Sequence, residues 1–210
     1  MKKLLLCSVF LVPFLSFGFT TNQVAGFVRQ TVYPGYNLLA PALPCSNAPA
    51  LTVFPCLQAD DTLMFWVHGE YVPFTYNGTN WLDSIGRPSA SPRLSSGIGV
   101  FYLNTGYTKT NVVTGFVVNN WQLTIPPGMW LVGSQLPQAG NVNNLTLPLQ
   151  PGDELMSWQG AGFLDFLYID SSTWLDGNTL NLINHPTFGY GEAFFYLNNQ
   201  AQPETWSQTY

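Results

Sequence analysis

Two aspartates follow the same dipeptide, in Trp81-Leu82-Asp83 and again in Trp174-Leu175-Asp176. A pair of carboxyls at a set separation is what glycoside hydrolysis requires. The two positions are equivalent under an internal repeat, however, and turn chemistry accounts for an Asp at both, so no catalytic role is assigned to them. Asp60, Asp61, Asp153 and Glu154 offer oxygen ligands, but not at the alternating spacing of a dedicated calcium loop. They are expected as solvated turn acids. His68 and His185 are isolated from each other and from the cysteines, so no zinc set is expected. No Gly-x-Ser-x-Gly elbow accompanies them, and no hydrolase triad is drawn. The residue pattern thus names no catalytic residue, no metal ligand and no cofactor.

Cys45 and Cys56 are the two cysteines beyond the N-terminal leader, and a disulfide between them is the natural expectation for an exported chain. It would stabilise the fold by roughly 2–3 kcal/mol through the short loop it closes. The seven tryptophans (Trp66, Trp81, Trp121, Trp130, Trp158, Trp174, Trp206) are numerous for the length. An exposed indole stacks on a sugar ring. Trp66 with Trp158, and Trp81 with Trp174, are repeat partners and are expected in cores. Trp130 and Trp206 lack an aromatic partner in the repeat, which makes them the candidate glycan contacts.

The elements that must position these residues come in two copies. Sliding the chain along itself by 92–94 residues aligns Val32-Tyr33-Pro34-Gly35-Tyr36-Asn37-Leu38-Leu39 with Ile125-Pro126-Pro127-Gly128-Met129-Trp130-Leu131-Val132. Asp61-Thr62-Leu63-Met64-Phe65-Trp66 falls on Asp153-Glu154-Leu155-Met156-Ser157-Trp158, and Phe101-Tyr102-Leu103-Asn104 on Phe195-Tyr196-Leu197-Asn198. Order and spacing are both kept, which marks a duplication. Pro-Gly predicts a type II turn. Segments such as Glu70 to Tyr76 and Phe163 to Ile169, aromatic and β-branched between Gly, Asn and Asp, predict strands. Beyond the leader no run of twelve residues has a helical apolar period. The expected fold is all-β: two tandem copies of a small sandwich or barrel-like unit with about six short strands each. Residues 19–110 form the first copy and 111–210 the second, with Asn111 to Val118 expected to parallel Gln23 to Val32. The copies could be two packed domains or one merged pseudo-twofold body.

Met1-Lys2-Lys3 followed by an apolar run from Leu4 to Phe17 predicts a signal peptide over residues 1–18, cut after Gly18. Without Lys2 and Lys3 the six basic residues fall to four (Arg29, Arg87, Arg93, Lys109) against eleven acidic ones, a net charge of −7. No basic patch exists to neutralise phosphates, which excludes nucleic acid as a partner, and no later segment is long and apolar enough to insert in a membrane as a helix. Charged residues make up 8% of the chain, about a third of the usual share, while aromatics reach 15%. So lightly charged a surface is poorly protected against association through sheet edges.

Val24-Ala25-Gly26-Phe27-Val28, Pro34-Gly35-Tyr36-Asn37-Leu38-Leu39-Ala40-Pro41 and Leu131-Val132-Gly133-Ser134-Gln135-Leu136-Pro137 resemble segments of a group of exported hypothetical proteins of Verrucomicrobia and related bacteria. Gly191-Glu192-Ala193-Phe194-Phe195 is similar to that group's ending. The resemblance implies a bacterial, exported protein and carries no catalytic residues. The first copy departs from it at Ser96-Gly97-Ile98-Gly99, where the glutamate is missing, which argues against Glu192 being essential in both copies. The expected function is that of a secreted, non-catalytic structural or adhesive subunit of an extracellular assembly, a filament or surface layer. Its partner would be a second copy of itself, reached by donation of residues 19–32 as a strand. The alternative is a carbohydrate-binding module using exposed tryptophans.

Overall fold

The computed structural model describes residues 24–117, 120–134 and 139–209. The expected signal peptide and the first residues of the expected donor segment, 19–23, lie outside them. The first ten strands are β1 (Val24–Val32), β2 (Gly35–Leu39), β3 (Ala48–Pro49), β4 (Thr62–Val67), β5 (Glu70–Tyr76), β6 (Trp81–Leu82), β7 (Pro88–Ser89), β8 (Arg93–Leu94), β9 (Val100–Asn104) and β10 (Lys109–Val117). The next ten are β11 (Trp121–Ile125), β12 (Gly128–Gly133), β13 (Gly140–Asn141), β14 (Glu154–Trp158), β15 (Phe163–Asp170), β16 (Thr173–Asp176), β17 (Leu182–Ile183), β18 (Thr187–Phe188), β19 (Ala193–Asn198) and β20 (Glu204–Gln208). A one-turn helix, Ala50–Val53, follows β3, and a 3₁₀ turn, Val142–Leu145, follows β13.

Each strand of the second set pairs as does the strand ten places before it. One six-stranded antiparallel sheet runs β2-β9-β4-β5-β6-β7 and the other β12-β19-β14-β15-β16-β17. The ribbon β1-β10 corresponds to β11-β20, and β3-β8 to β13-β18. The chain is all-β and duplicated, as expected, without a closed barrel among its described residues. The join differs from the expected one at 110/111. Asn111–Val117 belongs to β10, which pairs with β1 along nine residues and closes the first copy. The counterpart of β1 is β11, so the halves meet between Val117 and Trp121. Polar and apolar residues alternate in both segments, and a period of two does not tell a closing strand from an opening one.

Both Pro-Gly turns form as predicted, with Gly35 at φ +87° and Gly128 at φ +100°, values that an L side chain resists. His68 and Gly69 have φ of +52° and +88° and make the two-residue turn of the β4–β5 hairpin. His68 is thereby a turn residue.

The strands at the centre of each sheet are apolar on both faces. Successive side chains of a strand point to opposite sides, so Leu63 and Phe65 of β4, with Val100 and Tyr102 of β9, enter the first core. Leu155 of β14, with Phe194 and Tyr196 of β19, enters the second. The alternate set, Met64, Trp66, Phe101, Met156, Trp158 and Phe195, meets in a third cluster shared by both halves. There Trp66 Nε1 donates to Met129 O at 3.0 Å and Trp158 Nε1 to Tyr36 O at 2.9 Å, a pair related by the duplication. The backbones also join: Ala40 N donates to Gly191 O at 2.8 Å, and Gly133 N to Gly97 O at 3.1 Å. The halves form one merged pseudo-twofold body with an isologous contact inside a single chain.

Candidate functional site

The residues singled out in the sequence are scattered. Asp83 Oδ1 accepts the amides of Ile85 and Arg87, and Asp176 Oδ1 those of Asn178 and Thr179. Both are turn carboxylates, held below the usual carboxylate range first by Arg87 N and Thr179 N respectively. His185 Nδ1 lies on the surface beside Asn143 Nδ2 at 3.1 Å. No group of three or more metal-ligating side chains occurs among the described residues.

Three expectations are corrected. Cys45 and Cys56 are free thiols, not a disulfide. Ser96 ties Cys45 to the loop after β8, and its Sγ points at Leu94 O, whereas Cys56 Sγ points at Tyr102 Oη, so the two engage different parts of the first core. Burial pushes both thiols up. Trp206 cannot contact a sugar: it is 0% exposed, and its Nε1 donates to Leu145 O at 2.7 Å. Its position in the repeat is that of Asn111, whose Nδ2 donates to the matching Val53 O at 3.1 Å, so the indole N–H replaces an amide rather than reaching solvent. Trp130 is half-buried against the second core. Finally, Asp61 and Asp153 are not solvated turn acids but fully buried.

The two buried acids differ in their company. Asp61 Oδ2 accepts Gln58 N and Tyr102 Oη at 2.7 Å and pairs with Lys109 Nζ at 2.5 Å. In the second half Glu204 stands where Lys109 stands. Asp153 accepts Gln150 N, Tyr196 Oη, Asn199 N and Gln200 Nε2 between 2.8 and 3.1 Å. The same Tyr196 hydroxyl contacts Glu204 Oε2. One hydroxyl proton serves one acceptor, and Asp153, with four donors, suits a carboxylate. Glu204 then carries its own proton, consistent with burial and the Asp153 charge, which push its pKa up.

A concave feature of the surface lies between the halves. It is a groove of about 680 Å³, within the roughly 300–1,000 Å³ range of small-molecule sites. One wall is the turn from β1 into β2, carrying Tyr33 and Tyr36; the other joins Trp158 to the turn Gly189–Glu192. Asn37 holds the first wall rigid: its Oδ1 accepts Tyr33 N at 2.8 Å, and its Nδ2 donates to Tyr33 O at 2.7 Å and Gly35 O at 3.0 Å. The Tyr36 ring stands edge-on to Trp158, centroids 6.3 Å apart. In the second wall Glu192 Oε2 accepts Gly189 N at 2.7 Å, and Gln30 Nε2 crosses from β1 to donate to Gly191 O at 2.5 Å. Tyr33, Tyr36 and Tyr190 are exposed, Glu192 half-buried, and Arg29 at the rim exposed. Burial pushes the Glu192 carboxyl above its usual range.

The groove's chemistry is one-sided. Under the duplication Tyr33, Tyr36, Tyr190 and Glu192 correspond to Pro126, Met129, Ser96 and Ile98, and Arg29 to Gln122. Seam and core positions keep their character (Phe101/Phe195, Trp66/Trp158, Tyr102/Tyr196), while these do not. None of the groove residues was among the candidate glycan contacts. The test that selected Trp130 and Trp206, absence of an aromatic repeat partner, also selects Tyr33, Tyr36 and Tyr190 once extended to tyrosine. No protein-family model, no curated protein and no solved structure matches the chain.

The Glu204 site has a pH signature. A carboxyl whose folded pKa lies above its unfolded value leaves stability intact below the unfolded value and removes it as pH rises through the folded one, about 1.4 kcal/mol per unit of difference. Glu204→Gln removes that loss. Urea denaturation is expected to show wild type and variant alike at pH 4 and the variant more stable at pH 8. A variant less stable at pH 8 would mean that the fold favours the Glu204 carboxylate over its protonated form.

Proposed function

We propose that the protein binds carbohydrate in the groove between its halves. The carrying observation is the one-sided set of exposed Tyr33, Tyr36 and Tyr190 with Glu192 and Arg29, beside half-buried Trp158. Flat rings that cost little entropy to order stack on the apolar faces of sugars, and charged groups at the edges exchange hydrogen bonds with hydroxyls. The Asn37 clamp and the backbone bonds across the seam preorganise both walls, which lowers the cost of binding. Export by residues 1–18 belongs to the proposal and places the groove where glycans are met. A glycan array is expected to show binding by wild type and by Gln122→Ala, the matching position on the other side, and a several-fold weaker signal for Tyr36→Ala. An empty array, or a Tyr36→Ala signal equal to wild type, overturns the proposal.

A structural role is the second reading, favoured by the outer face of the β1-β10 ribbon. Phe27 is 66% and Phe116 57% exposed there, beside Val112, and the ribbon has no third strand among the described residues. β1 is paired with β10 of its own chain, so the expected donation of residues 19–32 would have to proceed by exchange between copies. Light scattering of residues 19–210 across concentration would show growing species that Phe27→Ser/Phe116→Ser abolishes. A constant monomer mass removes this reading.

A further inference from the structure

Glu192 is the one carboxyl among the described residues that line the groove, and it has no counter-ion among them. Gly189 N orients it at 2.7 Å, and neither ion pair found among the described residues involves it. A half-buried carboxylate gains most from a cation that arrives with the ligand, because its own desolvation is already met by the fold. Its surroundings suit such a cation. Tyr36, Tyr190 and Trp158 line the same groove, and the face of an aromatic ring attracts an ammonium group. The chain as a whole is acidic, with a net charge of −5, and draws cations toward its surface. Arg29 is the opposing group. It stands on the solvent side of β1, at the rim, and is exposed; a charge so placed is screened by water and salt more than one set in the wall. The matching position on the other side of the pseudo-twofold is Ile98, so the carboxyl is no requirement of the shared fold.

Resting on the carbohydrate reading, we propose that the sugar taken by this groove carries a free amino group, its ammonium set against Glu192 and the neighbouring aromatic rings. Stacking supplies the contact common to all sugars, and the carboxyl selects the amino sugar among them. Because burial pushes the Glu192 carboxyl up, the amino sugar binds more weakly as pH falls through that carboxyl's range. A neutral sugar shows no such effect.

The test is titration calorimetry on residues 19–210 at pH 6.5 with three probes of one length: a β-1,4 tetramer of glucosamine, its fully N-acetylated counterpart, and tetragalacturonate. The glucosamine tetramer is expected to bind about tenfold tighter than the N-acetylated one. Glu192→Gln is expected to abolish that ratio by weakening the glucosamine tetramer far more than the N-acetylated one. Equal or tighter binding of the N-acetylated tetramer overturns the inference, and so does a preference for tetragalacturonate, which would make Arg29 the selecting group. Binding of other array glycans with no response to the glucosamine tetramer also overturns it and leaves the carbohydrate reading standing. Silence from all three probes together with an empty array removes both.

Discussion

The approach of the two sheets across Phe101 and Phe195 is the constraint on which the rest of the molecule depends. At two places this contact leaves room for one methyl group and not two. A Cβ on Gly133 would lie 2.2 Å from the Cβ of Ala40, and a Cβ on Gly99 would lie 2.6 Å from that of Ala193. Ala40 and Gly133 are the same position of the repeat, as are Gly99 and Ala193, so each close contact pairs a glycine from one half with an alanine from the other. Sequence divergence after duplication has made the halves complementary to each other rather than to themselves. The same approach brings the turn into β2 against the turn Gly189–Glu192, and the groove exists because these two turns meet.

Divergence at buried positions follows a common logic. The fold requires a hydrogen bond to the carbonyl of Val53 or Leu145, and an Asn amide or a Trp indole supplies it equally well. It requires a partner beside the buried Asp, and a lysine ammonium or a protonated glutamate under a tyrosine hydroxyl meets that need. The second solution holds only while the proton stays, which ties it to pH. Exposed positions face no such demand. The one-sided set in the groove is therefore not something the fold itself demands.

Much of the architecture was legible in the chain. The Pro-Gly turns, the aromatic strands and the duplication are local or periodic features, and two faces of burial left a plain mark in the unbroken apolar runs Leu63-Met64-Phe65-Trp66 and Ala193-Phe194-Phe195-Tyr196. What was not legible depends on pairing partners. Lys109–Val117 alternates as any half-buried strand does, and only its register with Val24–Val32 shows which half it completes. Asp61 and Asp153 carry the turn residues' usual signature, and their complete burial follows from tyrosines some forty positions away. An even pair of cysteines in a chain read as exported suggests a bridge, yet each is drawn to a different neighbour. The groove leaves no mark in the sequence because its walls come from opposite halves and its exposed rings are tyrosines rather than tryptophans.

Calorimetric unfolding of wild type, Gly133→Ala and Ala40→Gly/Gly133→Ala tests the close approach most directly. The account predicts one cooperative transition in all three proteins, since neither sheet keeps its inner face covered without the other. The added methyl is expected to cost about 1–3 kcal/mol, the usual penalty of overpacking, and the exchange of the two residues across the seam to recover most of it. Two separate transitions in the wild type, or a double variant no more stable than Gly133→Ala, would contradict it.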